Sequence, residues 1–298
     1  MIRYSGTRAE LQQRITAVRS DWLSQAGDLT KAVVASGGLD GTPSAIWSEI
    51  RTVFVDLQCR KCAFCEREMA AMPLGGSEQA VEHYRPKGGT KPWRPDVTDG
   101  FWELVGSDLT DGKADGYYWL AWHEENYATS CAICNSRLKG NYFPIFGAPG
   151  AATRTPRQLR TEKPALPYPI GDVDVDPETI LTFEGILPIP TSSAPAIRRR
   201  ALVTICFFAL DTREELLYGR AQLILRHKIF RTAQSDPQVG ATASALLAAM
   251  TLDAAPHAAC MRAFDRLVAQ DPVKSDQLVE AAKQYLISVG ALGTPGTP

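Results

Sequence analysis

No apolar run in the 298 residues approaches the roughly 20 that a bilayer-spanning helix requires. The N-terminus also lacks the charged-then-apolar layout of a secretory signal. The expected setting is cytoplasmic, with no membrane partner. A surplus of charge of one sign is missing as well: 32 Lys and Arg stand against 33 Asp and Glu, a formal net charge of −1. Proteins that coat nucleic acid without specificity carry a large positive excess, so any nucleic-acid contact here has to be local. No internal repeat is visible and nothing in the composition suggests disorder. With 45% apolar residues the chain can bury one sizeable core or two smaller ones.

Seven cysteines make a poor disulfide set. In a reducing compartment the clustering of five of them points instead to metal binding. Cys206 and Cys260, isolated in apolar helical stretches, read as ordinary core residues. Cys62-x-x-Cys65 and Cys131-x-x-Cys134 are two pairs at knuckle spacing, each able to put two thiolates on one ion at about 2.3 Å. A single such pair is ambiguous with a redox motif, whereas two pairs complete a tetrahedron and point to a closed structural Zn2+ joining two distant segments. Cys59 leaves an alternative open, since it lies three residues before Cys62 and could pair with it.

Helical signals flank this region. Thr7 and Glu10 form a capping box, and Leu11, Ile15, Val18 and Trp22 then recur at helical spacing up to Gly27. Thr42-Pro43 reads as a cap and first turn, followed by Trp47, Ile50, Phe54 and Leu57 on one face. The expected organisation is an N-terminal helical region over 1–58, a functional module over 59–147, a Pro-rich wrap over 148–195, a helical region over 196–290 and a frayed tail over 291–298. Within the wrap, Ile180 to Phe183 and Gly185 to Ile189 could pair as short strands. Ile197 to Leu210, then Leu217, Ala221, Ile224, Leu225 and Ile229, carry the helical period, with weaker helices to about Val289.

Between the cysteine pairs lies Val81-Glu82-His83-Tyr84-Arg85-Pro86-Lys87, a carboxylate beside an imidazole with two cations after it. Phosphodiester cleavage uses these residue types. Histidine can take a proton from water near neutral pH, and a carboxylate-held metal can neutralise the scissile phosphate and the leaving oxygen. Further on, Tyr118-Trp119-Leu120-Ala121-Trp122 runs into Asn126, and Cys131-Ala132-Ile133-Cys134-Asn135 opens a short helix ending at Gly140. Arg85, Lys87, Arg137 and Lys139 are the nearest candidates for nucleic-acid contact; the plainer reading of such charges is a solvated face. His123, Trp119 and Trp122 read as structural, the two tryptophans three apart on a helix. Asn135 could simply cap the helix after the second pair.

The order and spacing of these residues resemble the HNH endonuclease superfamily. More narrowly, "CAFCE", "VEHYRPK", "YYWLAWHEENY", "SCAICNSRLKGNYFP", "DPETILTFEG" and "ALDTREELLYGR" resemble the HNH subunit of Septu-type and retron-associated phage-defence systems, over about Trp47 to Arg220. The resemblance implies an α+β fold, mostly helical, with a small zinc-braced ββα-metal module. It implies Glu82 and Asn135 as ligands of a catalytic Mg2+ or Mn2+, His83 as general base, and Asn126 as the residue orienting the histidine and its loop. It implies nucleic acid, with DNA favoured, as substrate and an SMC-like ATPase as partner. The chain departs from the usual pattern in carrying asparagine after Cys134 and in a wide spacing from His83 to Asn126, filled by an insert from Gly88 to Gly116. A zinc-stabilised subunit that binds nucleic acid or a partner without cutting, or an RNA-directed nuclease, are the competing readings.

Overall fold

The computed structural model describes residues 1–39, 41, 43–71, 79–97 and 99–291. Helix α1 (Arg8–Val18) starts at the expected capping box: the Thr7 hydroxyl accepts from the Glu10 backbone N–H, and the Glu10 carboxylate accepts from the Thr7 N–H at 2.7 Å. The helix ends at Val18 rather than running on to Gly27. Arg19 is extended (φ −147°, ψ 103°), and a second helix, α2 (Trp22–Ser36), begins after it. The break lets Trp22 turn fully inward, where its indole donates to the Ile46 carbonyl at 2.9 Å.

The cap expected at Thr42 lies outside the described residues. The chain next turns helical at a 3-10 turn, Ile46–Ile50, which leads into α3 (Arg51–Leu57). Strand β1 (Ala80–His83), helix α4 (Asp99–Val105), strand β2 (Thr110–Asp111), strand β3 (Tyr127–Ser130) and strand β4 (Pro144–Ile145) follow, with a π-helical segment, Ile133–Lys139, between β3 and β4. β1 pairs antiparallel with β3, placing His83 opposite Tyr127 and Glu82 opposite Ala128, and β2 pairs with β4. The helix expected around Trp119 and Trp122 is instead two 3-10 turns, Tyr118–Leu120 and Glu124–Asn126. Both tryptophans are buried all the same, each donating its indole N–H to a backbone carbonyl at 2.8 Å (Arg154 and Ser44).

The wrap carries the expected hairpin of β5 (Leu181–Glu184) and β6 (Leu187–Pro190), turned at Gly185 with φ +59°. Beyond it run α5 (Pro195–Phe207), α6 (Glu214–Ala233), α7 (Gly240–Ala249), α8 (Ala258–Gln270) and α9 (Pro272–Ser288). This is an α+β architecture, rich in helix with small two-stranded sheets. The main apolar core runs through α1, α2, the cysteine segment, the wrap and α5. A second, smaller one joins Ala221 and Ile224 of α6, Met261 and Phe264 of α8, and Ala282 and Leu286 of α9. Of the tail expected over 291–298, residues 292–298 lie outside the described residues. Among the described residues, no helix is long and apolar enough to cross a membrane.

Candidate active site and metal centre

The first cysteine pair sits on a tight knuckle after α3. Cys59, Arg60 and Glu66 all take left-handed backbone conformations (φ +52°, +55° and +60°), and the Cys62 N–H donates to the Arg67 carbonyl at 3.0 Å. The knuckle is tied to β3: Ala63 N–H donates to the Thr129 carbonyl at 3.0 Å, and the buried Gln58 side chain bonds both backbone groups of Thr129 at 2.8 Å. Because β3 runs straight into Cys131, this lattice brings the second pair over the first. The Sγ atoms of Cys62, Cys65, Cys131 and Cys134 all lie within 4.8 Å of one another, and those of Cys65 and Cys131 are 3.9 Å apart. A tetrahedral ion about 2.3 Å from each sulfur would space them by about 3.8 Å, so the four buried thiols can hold a structural metal such as zinc. Cys59 is half-buried and outside this cluster, so the alternative pairing is not the one adopted. Arg213, just before α6, donates to the Cys134 sulfur at 3.2 Å. Its guanidinium is placed to offset thiolate charge, a role that a residue 79 positions away gives no local sign of.

Glu82 and His83 are each 6% exposed. The His83 Nε2 lies 3.0 Å from the Ala121 carbonyl oxygen. A carbonyl can only accept, so Nε2 carries the proton and Nδ1 keeps its lone pair, which meets no hydrogen-bond donor among the described residues. Trp47 and Tyr127 pack edge-on against the ring at 4.8 and 5.1 Å. Burial, followed by the Lys87 charge, pushes the imidazole down to about 3, so it is neutral near pH 7. Trp47 and the Ala121 carbonyl escaped sequence reasoning. The tryptophan was legible only as one of a helical stripe, and a carbonyl leaves no trace in residue type.

Glu82 faces Lys139, whose Nζ is 2.5 Å from its Oε1 and also donates to the His83 carbonyl at 2.9 Å. Burial raises the Glu82 pKa, and the Lys139 and Lys87 charges oppose that rise. Lys139 is 0% exposed. The sequence-based expectation of a surface contact to nucleic acid is therefore corrected here: a buried carboxylate needs a counter-charge, and Lys139 supplies it. Arg85 is corrected for the same reason. It is buried, ion-paired to Glu162 at 3.1 Å, bonded to the Leu159 carbonyl and set over the rings of Tyr84, Tyr117 and Phe143. Lys87 stays half-buried at the site, its Nζ 4.7 Å from the centre of the Trp47 ring. Arg137 is exposed and has no side-chain partner among the described residues.

Asn126 is fully buried and clamps the loop after β1. Its Oδ1 accepts from the Arg85 N–H at 2.8 Å, its Nδ2 donates to the Arg85 and Leu120 carbonyls at 2.9 and 3.2 Å, and its own carbonyl accepts from the Tyr84 N–H at 2.8 Å. The wide spacing from His83 is absorbed because the 88–116 insert leaves and returns at one point. Tyr117 N–H donates to the Pro86 carbonyl at 2.8 Å, and Gly116 (φ +77°) lies so near Gly88 that a Cβ would come within 2.1 Å of its oxygen. Asn135 sits on the π-helical segment with Cys134 and Lys139. Its backbone N–H bonds the Cys131 carbonyl at 2.9 Å, while its half-buried side chain makes no hydrogen bond among the described residues and caps nothing. His123 accepts from the Glu125 N–H at 3.2 Å, in keeping with a structural role.

Over 157 residues the chain is 30% identical to Septu protein PtuB of Bacillus mycoides (strain KBAB4), a stretch that covers 52% of this chain and 44% of that protein. The chain thus spans less than half the length of the curated relative it matches. No family model matches it. No solved structure matches it either.

Proposed function

We propose that the chain is a metal-dependent endonuclease of the HNH type, acting on nucleic acid, with DNA favoured, as the effector of an anti-phage defence system in the cytoplasm. The observation that carries this reading is the setting of His83: held by its Nε2 proton on the Ala121 carbonyl, with a free Nδ1. That is the form a general base must have before it receives a proton from attacking water. The strand, insert, strand and helical segment that carry His83, Asn126 and Asn135 lead into Cys131 and Cys134, which meet the first cysteine pair from the knuckle ahead of β1, as in a zinc-braced ββα unit. The likeness to a Septu protein over half the chain supports the defence setting, in which an SMC-like ATPase is the partner.

In this mechanism the four thiolates would hold structural zinc, which would tie the segment after β3 to the knuckle ahead of β1. Glu82 and Asn135 offer oxygen donors suited to magnesium or manganese, and the Asn135 amide makes no hydrogen bond to a described residue. A divalent ion bound there would supply positive charge against the scissile phosphate and the departing 3′ oxygen. His83 Nδ1 takes the proton from water, Asn126 keeps its loop in place, and Lys87 with Arg137 contacts phosphate oxygens. By family likeness the ends are 5′-phosphate and 3′-hydroxyl.

The burial of Glu82 and His83, with Lys139 already neutralising the carboxylate, favours a second reading: a zinc-stabilised subunit that binds nucleic acid or a partner without cutting. Nicking of plasmid DNA in magnesium or manganese separates the two. His83→Ala should keep its zinc and lose about 10²- to 10⁴-fold in rate, the usual contribution of a positioned base. Equal rates for the two proteins, or no cleavage by either, would leave the binding reading. Structured RNA offered in parallel with duplex DNA separates an RNA-directed enzyme.

A further inference from the structure

On the far side of the loop after β1, behind Tyr84, lies a cavity of about 340 Å³. That is within the range of roughly 300–1,000 Å³ typical of small-molecule sites. Its walls combine aromatic rings with cations, and the cations are not all matched. Arg199 is paired with Asp108, Arg200 with Asp174, and Arg85 with Glu162. Arg160 and Lys163, both exposed on the rim, have no carboxylate among the described residues. The N-terminus of the 13-residue helix α5 also opens here at Ala196, and its N-cap, Ala194, has no side chain able to bond the first free N–H groups. Arg199 and Arg200 follow in the next turn and line the cavity. Two cations without a carboxylate and an uncapped helix start together make a place for an anion.

The apolar lining adds a second requirement. Phe146 has the Arg199 guanidinium over it at 4.3 Å, and Tyr168 packs against Tyr84 with ring centres 5.0 Å apart. These contacts cover ring faces, so the apolar lining left to a ligand includes Pro156, Val173 and Val175, which an anion alone would leave unused and a flat base would cover. We infer that this cavity binds a nucleotide, its phosphate at Arg160, Lys163 and the start of α5 and its base against the apolar wall. The floor leads to the candidate active site: Tyr168 donates to the Tyr127 carbonyl at 2.7 Å, and Tyr127 pairs with His83 across the sheet. The ligand is either a free nucleotide or one nucleotide of a strand passing the site; both present the same phosphate and base.

Calorimetric titration of the zinc-loaded His83→Ala chain tests this without any cleavage, so its outcome is independent of the nuclease reading. Each of the four deoxynucleoside 5′-monophosphates, the matching nucleosides and inorganic phosphate are titrated separately. At least one nucleotide should bind one to one, with its nucleoside and phosphate weaker by about tenfold or more. Arg160→Ala with Lys163→Ala, two exposed positions whose loss melting curves can show to be harmless, should weaken that nucleotide by at least a similar factor. No binding by any nucleotide at millimolar concentration, equal affinity for inorganic phosphate, or an unchanged double variant would each overturn the inference. A single-stranded oligonucleotide that displaces the bound nucleotide, and is itself weakened by the double variant, identifies the strand as the source. Failure to displace identifies the free nucleotide.

Discussion

Between Cys62 and Lys139 the interior sets sulfur, carboxylate, ammonium and amide groups among aromatic rings, whereas α6, α8 and α9 close on Ile224, Met261, Phe264, Ala282 and Leu286. The first region is specified by partners: Glu82 needs Lys139, Arg85 needs Glu162, Arg85's backbone needs Asn126. The second is specified by volume and by a stripe, which tolerates same-sized exchange. A polar interior fixes geometry sharply but loses much when any one member goes, because the group left behind has no water to turn to. That is a suitable frame for chemistry needing atoms held in place, and the apolar helices suit a supporting role.

The contrast is broken most severely by removing the metal centre. Structural zinc contributes roughly 10–16 kcal/mol of apparent binding energy in small zinc-folded units. Cys131→Ser should therefore release zinc and melt the region from β1 to β4, while much of the far-ultraviolet helical signal from α6 to α9 survives. Zinc analysis beside near- and far-ultraviolet circular dichroism reads this directly. Loss of both signals together would mean the two regions fold as one unit. Asn135→Ala serves as its control, keeping zinc and fold. Next in size is Glu162→Ala. It strands the Arg85 charge among three rings and should cost about 3–5 kcal/mol in denaturant melts. A cost below 1 kcal/mol would show that water reaches the guanidinium.

These two groups also mark where the sequence stops being legible. The capping box at Thr7, the β5–β6 hairpin, α5 and α6 were readable because periodicity and turn chemistry are local. The thiol cluster was readable because spacing alone identifies a knuckle. Arg85 and Lys139 were misread as surface cations, since a basic side chain next to a motif looks solvated until its carboxylate is known. For Arg85 that carboxylate is 77 positions away. The helix break at Arg19 and the 3-10 turns around Trp119 were hidden for a related reason: a buried indole or a loop clamp overrode a helical period that the residues do show.

Asn126→Ala comes third. It removes the acceptor for the Arg85 N–H and the donor to two carbonyls, leaving buried groups that cost roughly 1–3 kcal/mol each when unpaired. Melting temperature should fall, and plasmid nicking should fall further than stability alone explains, because the loop carrying Lys87 is released. A variant as stable as the parent would remove the clamp from the account.

The smallest effect tests the seam between the two regions. His257 precedes α8 and is buried; its N–H donates to the Glu66 carbonyl at 3.2 Å, on the cysteine knuckle. Its ring fits against Gly219 of α6, where a Cβ would lie 3.1 Å from Nε2. Burial, then the Arg220 charge, pushes the imidazole from 6.5 down to about 3. The folded chain therefore binds fewer protons here than the unfolded chain between those values, and stability must fall as pH drops below about 6.5 toward 3. Each pH unit inside that window is worth on the order of 1 kcal/mol. Thiolate protonation adds its own acid sensitivity, so the informative quantity is a difference of slopes. His257→Asn, a residue that tolerates the left-handed backbone at φ +52°, should give a melting temperature that declines less steeply from pH 7 to about 5.5 than the parent's. Parallel curves would mean that the seam opens before the imidazole is protonated, and the two regions would then be joined by α5 and the hairpin rather than by this contact.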